Sequence, residues 1–131
     1  MKIGIVGQGY VGTAIKVGFE SYYELETYDK YDKSKSTCIG LSELVNTTDI
    51  IFVCVPTPMN KDGSCHIDIV ESVVKEIDDW TRRKDNKDNP IVVLKSTVPP
   101  GTTDRLHKKY KNVNVIFNPE FLTEANFIED F

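Results

Sequence analysis

Six residues near the N-terminus, G-Q-G-Y-V-G, have the types and spacing of an anion-binding turn. In a G-x-G-x-x-G turn, Gly7 permits the sharp bend, Gly9 lets the backbone approach a pyrophosphate, and Gly12 lets a helix pack closely on the preceding strand. The helix would begin at Tyr10 and Val11, where free N–H groups and the positive end of the helix dipole face a phosphate. The hexapeptide predicts a phosphate-binding turn; a turn that only packs the helix is the alternative.

An aspartate follows the glycines at a spacing that suits the ribose of the same ligand. Asp29 ends the second short apolar run, where an acidic side chain accepts hydrogen bonds from an adenosine ribose. A carboxylate there would repel a 2′-phosphate, so the pattern favours NAD over NADP as the cofactor. Lys30, which we assign to the same site, and Lys33 weaken this exclusion. The alternative is an aspartate that merely begins a loop.

Three proline-containing segments each follow an apolar run: V-P-T-P from Val55, S-T-V-P-P-G-T-T from Ser96, and N-P-E-F-L from Asn118. Ligands of open α/β sheets bind outside the carboxyl ends of the strands, and proline holds a neighbouring side chain with little entropy left to lose. Stiff turns without a ligand are the alternative for any one segment, but three at one edge favour a site. The candidate cofactor contacts in them are Val55, Pro56, Thr57, Ser96, Thr97 and Glu120.

The elements that must position these residues alternate between strands and helices. Short β-branched runs predict strands at Lys2–Val6, Glu24–Tyr28, Ile50–Val55, Ile91–Lys95 and Val113–Phe117. Apolar residues at helical spacing predict helices from Val11 to Phe19, from Val70 to Trp80 and from about Thr102 to Tyr110. With right-handed crossovers, this order predicts an α/β fold, a Rossmann-type doubly wound, mostly parallel sheet in a single domain over residues 1–131.

Two local features are expected within that order. Asp68 should cap the second long helix, with Glu71 reaching back to the cap. The segment from Tyr31 to Thr48 carries the weakest pattern: one short helix is expected around Leu44, and a short edge strand near Cys38 is possible.

Composition limits the classes of function. The 131 residues are 40% hydrophobic and 27% charged, which is typical of one globular domain, and the net charge of -4 argues against nucleic-acid binding. No apolar run approaches a membrane span, and three cysteines suit a reducing compartment, so we expect a cytoplasmic protein without a membrane partner. The two histidines, His66 and His107, are not clustered, and no metal site is expected. Cys65 beside His66 leaves an activated thiol open as a minor alternative.

Together, G-Q-G-Y-V-G, V-P-T-P, S-T-V-P-P-G-T-T and N-P-E-F-L resemble the N-terminal domain of the UDP-glucose/GDP-mannose dehydrogenase family. The resemblance implies NAD-dependent oxidation of the primary alcohol of a nucleotide sugar, through an aldehyde, to a carboxylate, with two hydrides passed to two NAD molecules. It also implies that Thr97 lies near the nicotinamide and helps to place a catalytic water, and that Glu120 acts in acid–base chemistry around thioester hydrolysis. Dehydrogenases of 3-hydroxy acids share the glycine turn but would not be expected to show V-P-T-P with N-P-E-F-L.

The chain departs from the family pattern in two ways. The segment before Ile50 is shorter than is typical, and the family's nucleophilic cysteine and sugar-nucleotide site would lie beyond Phe131. We therefore expect a truncated domain, in which residues 118–131 begin the linker toward a missing central helix and substrate domain. Such a chain would be incomplete as a catalyst and would bind a nucleotide sugar only with a second domain or chain; a stand-alone NAD-sensing or interaction module is the alternative. The apolar tail is expected to fold back on the sheet or to mediate self-association, through Phe121, Phe127, Ile128 and Phe131.

Overall fold

A computed structural model describes residues 1–64, 66–84, 88–120, 122 and 125–131. Strands and helices alternate along the chain from the second residue to the last helix. Their order is β1 (Lys2–Val6), α1 (Tyr10–Phe19), β2 (Glu24–Tyr28), a 3-10 turn (Lys33–Lys35), α2 (Leu41–Thr47), β3 (Ile50–Val53), α3 (Asp68–Arg82), β4 (Ile91–Leu94), α4 (Thr102–Lys109), β5 (Asn114–Phe117) and α5 (Phe127–Asp130). The predicted strands and helices are confirmed, with ends that differ by one to a few residues.

All five strands are parallel and lie in the order β2-β1-β3-β4-β5. The register aligns the last residues of all five strands, namely Tyr28, Val6, Val53, Leu94 and Phe117, so the strands end at the same level. β2 lies on one side of β1, and β3, β4 and β5 lie on the other side. Doubly wound folds open a crevice at this switch point between β1 and β3. The Rossmann-type fold predicted from the sequence is confirmed.

Two apolar layers hold the helices on the sheet. Residues of α2, α3 and α4, among them Leu44, Val74 and Leu106, form one buried cluster with β3 and β4. On the other face, Ile15 of α1 packs with Ile3 and Ile5 of β1 in a second cluster. Each fully buried Leu or Ile side chain contributes about 1.5–3 kcal/mol to folding, so both layers fix where the strand ends lie.

The predicted cap of α3 is wrong. Ile67 occupies the cap position and Asp68 is already helical, with its carboxylate 3.6 Å from the His66 ring. Glu71 does not reach back either, because its carboxylate accepts hydrogen bonds from α4 and Tyr110. The pattern located the start of the helix correctly but assigned the side chains to the wrong partners.

The possible edge strand near Cys38 is absent from the described structure. Thr37 N donates to Thr27 O at 2.9 Å, but Thr27 N donates to the hydroxyl of Thr37 at 2.8 Å rather than to a backbone carbonyl. One of the two hydrogen bonds between Thr27 and Thr37 therefore uses a side-chain hydroxyl instead of a backbone carbonyl. The segment lies beside β2 without forming a sixth strand. The short helix expected around Leu44 is α2.

The C-terminal aromatic residues pack on α1 rather than directly on the sheet. The rings of Phe131 and Phe19 meet edge to face at 5.4 Å between centroids, and those of Phe127 and Tyr10 meet at 6.2 Å. Phe131 lies so close to Gly18 that a Cβ there would stand 2.2 Å from its Cε1 atom. Phe121 lies outside the described residues. None of the helices in the described part of the chain is long and apolar enough to span a membrane.

Candidate functional site

A cleft of about 830 Å³ opens at the carboxyl edge of the sheet. It extends from the turn after β1 and the loop after β2 to the loops that follow β3, β4 and β5. The cleft brings together the sequence-predicted residues other than Gly12, namely Gly7, Gly9, Tyr10, Val11, Asp29, Lys30, Val55, Pro56, Thr57, Ser96, Thr97 and Glu120. Its volume is within the usual range for a small-molecule or cofactor site.

The glycine turn has the geometry that its sequence predicted. Gly7 adopts a positive φ of 94°, and a Cβ there would stand 2.5 Å from the carbonyl oxygen of Cys54. A Cβ on Gly12 would stand 1.8 Å from the carbonyl oxygen of Gly7, so Gly12 lies behind the turn and lets α1 start there. Gly9, the residue before α1, has open space where a Cβ would be, and no described side chain caps the helix. The turn therefore leaves the N-terminus of α1 accessible to an anion.

Asp29 has a structural role that the sequence did not predict. Its Oδ2 atom accepts a hydrogen bond from the backbone N–H of Gln8 at 2.9 Å, and its Oδ1 atom accepts from Tyr31 N and Asp32 N, both at 3.0 Å. A carboxylate oxygen can accept about two hydrogen bonds, so Oδ2 keeps capacity for one hydroxyl donor. Asp29 thus joins the glycine turn to the loop after β2 while still lining the cleft.

The cations at this end of the cleft are Lys30 and Lys35, and Lys33 does not line it. Lys35 Nζ lies 3.5 Å from the carbonyl oxygen of Gln8 and 3.9 Å from Asp32 Oδ2. Lys33, which was expected near this site, therefore lies outside the cleft, and Lys35 of the same 3-10 turn lies beside the glycine turn.

Side-chain hydrogen bonds hold the loops at the other end of the cleft. Ser96 Oγ donates to the carbonyl oxygen of Val55 at 2.6 Å, which joins the loops after β3 and β4. Lys95, with only 7% of its surface exposed, donates from Nζ to Asn118 Oδ1 at 2.7 Å, which joins the loops after β4 and β5. Glu120 Oε2 accepts from Leu122 N at 2.7 Å and lines the same cleft as Thr97.

Burial shifts two titratable groups at this end. It raises the pKa of the Cys54 thiol to about 12, an effect that Lys95 opposes and Glu120 adds to. Cys54 is therefore a neutral, unreactive thiol, as its place beside an apolar strand predicts. Burial also lowers the pKa of Lys95, against the influence of Cys54 and Glu120. Sequence reasoning did not place Lys95 in the site and assigned no role to Asn118, although its segment N-P-E-F-L was included; a lysine that ends the apolar run I-V-V-L-K was the available signal.

The remaining candidates lie elsewhere. Cys65 is outside the described residues, and His66 makes contacts with Asn60 Oδ1 at 3.0 Å and Asp68 without lining the cleft. Among the described residues, the ligand atoms of Glu26, Cys38 and Glu43 lie within 4.8 Å of one another. Glu26 and Glu43 already accept hydrogen bonds from Thr37 and Ile39, and burial raises the pKa of Cys38. This group therefore supplies no argument for a metal.

Comparison with known proteins agrees with the geometry. The NAD binding domain model of the UDP-glucose/GDP-mannose dehydrogenase family matches residues 25–131. UDP-glucose 6-dehydrogenase of Rhizobium meliloti is 30% identical over 100% of this chain and 37% of its own length. GDP-mannose 6-dehydrogenase of Pseudomonas syringae pv. syringae is 34% identical over 100% of this chain and 38% of its own length. Both alignments include the glycine turn, which precedes the range matched by the family model.

A solved structure supports the same assignment. The UDP-glucose dehydrogenase of the hyperthermophilic archaeon Pyrobaculum islandicum superimposes with a TM-score of 0.82 and 28% identity, over 99% of this chain and 38% of that one. The chain thus spans well under half the length of these relatives. It belongs to the UDP-glucose/GDP-mannose dehydrogenase family, as an NAD-binding domain of that family.

Proposed function

We propose that the cleft binds NAD in an extended pose, with the adenosine ribose at Asp29, the pyrophosphate at the glycine turn and the nicotinamide near Thr97 and Glu120. The observation that supports this pose is that one continuous cavity is lined by all three groups. Asp29 Oδ2 keeps room for one ribose hydroxyl, and the open space at Gly9 suits a pyrophosphate on the N-terminus of α1.

The loops after β3, β4 and β5 would orient the nicotinamide end. Val55, Pro56 and Thr57 would lie along one side of the cofactor, and Ser96 holds that loop to the next one. The Thr97 hydroxyl would place a water, and the Glu120 carboxylate would accept and return protons. When the cofactor is bound, its nicotinamide ring would serve as the hydride acceptor.

For the whole protein we propose the family's reaction. Oxidation of a nucleotide sugar's primary alcohol to a carboxylate consumes one water and passes two hydrides to two NAD molecules. The names of the relatives support this substrate class. We propose that a second domain or chain binds the nucleotide sugar and carries the nucleophilic thiol, since the cysteines of the described residues, Cys38 and Cys54, both have raised thiol pKa values. Binding of NAD without turnover, even with such a partner, would instead indicate a sensing module.

Calorimetric titration with NAD and NADP tests the site. We expect saturable binding of NAD and at least about tenfold weaker binding of NADP, because the 2′-phosphate would meet the carboxylate of Asp29. Asp29→Ala should weaken NAD binding and bring the two affinities closer together. The ratio of affinities is the informative quantity, since the substitution also removes three backbone hydrogen bonds.

Asp79→Ala on α3, whose carboxylate pairs only weakly with Arg82 at 3.7 Å, is the matched control and should leave both affinities unchanged. A folded wild-type chain that binds neither nucleotide would refute the proposal.

Two further proposals concern the protein's surroundings. Free thiols at Cys38 and Cys54 support a cytoplasmic location. Self-association would involve the tail, where Ile128 and Phe131 keep 48% and 43% of their surfaces exposed. Sedimentation velocity that finds only monomer at high concentration would exclude it.

A further inference from the structure

An ammonium group is buried at the end of β4, inside the cleft. Lys95 is only 7% exposed and lines the same cavity as Thr97 and Glu120. Lysine is almost never fully buried unless it is paired, because a compact ammonium loses strong hydration. Burial accordingly lowers the pKa of Lys95. A buried ammonium at this position is unfavourable for folding, so we ask what it does in the cleft.

The contacts of the ammonium leave its charge largely uncompensated at short range. Its hydrogen-bond acceptor is the neutral amide oxygen of Asn118 at 2.7 Å. Cys54, the residue that follows the adjacent strand β3, is a neutral thiol because burial raises its pKa to about 12. Among the described residues, the ion pairs within 4.0 Å do not include Lys95, and Glu120 influences it only from a longer distance. The ammonium thus places a positive charge at this end of the cleft that no described carboxylate pairs with within 4.0 Å.

We infer that Lys95 determines the relative affinity of the cleft for the oxidised and reduced forms of the nicotinamide cofactor, an inference that rests on the proposed function. The nicotinamide ring carries a positive charge in NAD⁺ and none in NADH, whereas the rest of the two molecules is the same. A nearby buried ammonium raises the free energy of bound NAD⁺ relative to bound NADH, and the low local dielectric strengthens the effect. Lys95 therefore makes hydride acceptance by the bound cofactor more favourable. Asn118 holds the ammonium in place.

The test is a set of titrations with NAD⁺, NADH and ADP-ribose, which lacks the nicotinamide. In Lys95→Met the ratio Kd(NAD⁺)/Kd(NADH) should fall about fivefold, a change of roughly 1 kcal/mol by the constant of 1.4 kcal/mol per tenfold. The Kd of ADP-ribose should stay within about twofold of wild type. Lys95→Arg keeps the charge and should keep the wild-type ratio. Lys84→Met is the control, since Lys84 Nζ donates to the carbonyl oxygen of Val45 at 3.0 Å and does not line the cleft.

The outcomes separate the two proposals. Wild-type protein that binds neither nucleotide form refutes the proposed function. Binding of both forms with an unchanged or increased ratio in folded Lys95→Met overturns the role of Lys95, and equal weakening of all three ligands shows that the residue is only structural. If Lys95→Met does not fold, Lys95→Gln provides an amide donor for Asn118 without the charge, and the same fall in the ratio is required.

Discussion

The connection between α3 and α4 gives a prediction whose magnitude follows from the structure. The carboxylate of Glu71 accepts hydrogen bonds from Lys109 Nζ at 2.8 Å, Tyr110 Oη at 2.8 Å and Arg105 Nη1 at 2.9 Å. The bond from Lys109 contributes most to lowering the pKa of Glu71 from 4.5 to about 2, while partial burial opposes it. At roughly 1.4 kcal/mol per pKa unit, this difference sets a ceiling of about 3–4 kcal/mol.

The measurable effect is smaller because solvent screens the cations. Arg105 and Lys109 keep 45% and 56% of their side-chain surfaces exposed, against 22% for Glu71. We expect Glu71→Gln to lower the free energy of unfolding by about 1–2 kcal/mol at pH 7. A carboxylate with a lowered pKa in the folded state stabilises the protein fully above its unfolded pKa. That contribution is lost as the pH falls from 4.5 toward 2.

Urea unfolding at pH 7 and at pH 2 measures the effect. The difference between wild type and Glu71→Gln should be present at pH 7 and should nearly vanish at the lower pH. Asp79→Asn breaks an exposed pair with Arg82 and should change the unfolding free energy by less than about 0.5 kcal/mol at either pH. Equal stability of wild type and Glu71→Gln at pH 7, or a difference that persists at low pH, would refute the reasoning.

Two further predictions concern the tail and the thiols. Gly18→Ala should release the C-terminal aromatic residues from α1, because the new Cβ would stand 2.2 Å from Phe131 Cε1. Hydrogen exchange of residues 127–131 should become faster than in Val17→Ala, and equal exchange in the two variants would contradict this packing. In a Cys65→Ser background at pH 8, iodoacetamide should label Cys54 at least about a hundredfold more slowly in the folded protein than in urea, and should also label Cys38 more slowly, because burial raises both thiol pKa values. Fast labelling of Cys54 in the folded protein would show that it is accessible and ionised.

Features that depend on neighbouring residues in the chain could be predicted from the sequence. The glycine turn follows from Gly7 and Gly12, each of which has no room for a Cβ. The position of Asp29 follows from the length of one strand–helix–strand unit. The parallel sheet follows from alternating runs and right-handed crossovers, and it brings the predicted loops to one edge.

Features that depend on distant residues could not be predicted in this way. The true role of Glu71 was missed because its partners, in α4 and at Tyr110 just after it, are 34 to 39 residues away. Lys95 looked like the polar end of a strand, because its acceptor Asn118 lies 23 residues further along the chain. Only the register of β4 and β5 makes these two residues neighbours. Similarly, the contact of Lys35 with the glycine turn depends on a 3-10 turn that no periodicity indicated.

The triple hydrogen bonding of Asp29 constrains how cofactor preference in this domain can be changed. A single replacement of Asp29 that admits a 2′-phosphate would also leave the N–H groups of Gln8, Tyr31 and Asp32 without their acceptor. The part-buried N–H groups of Gln8 and Asp32 would each lose about 1 kcal/mol, whereas the exposed N–H of Tyr31 can bond to water instead. A route to NADP use, in the laboratory or in evolution, therefore requires compensating substitutions in the loop after β2 before or together with the change at Asp29. In the proposed binding mode, preference for NAD would thus be protected by folding stability as well as by the charge of Asp29.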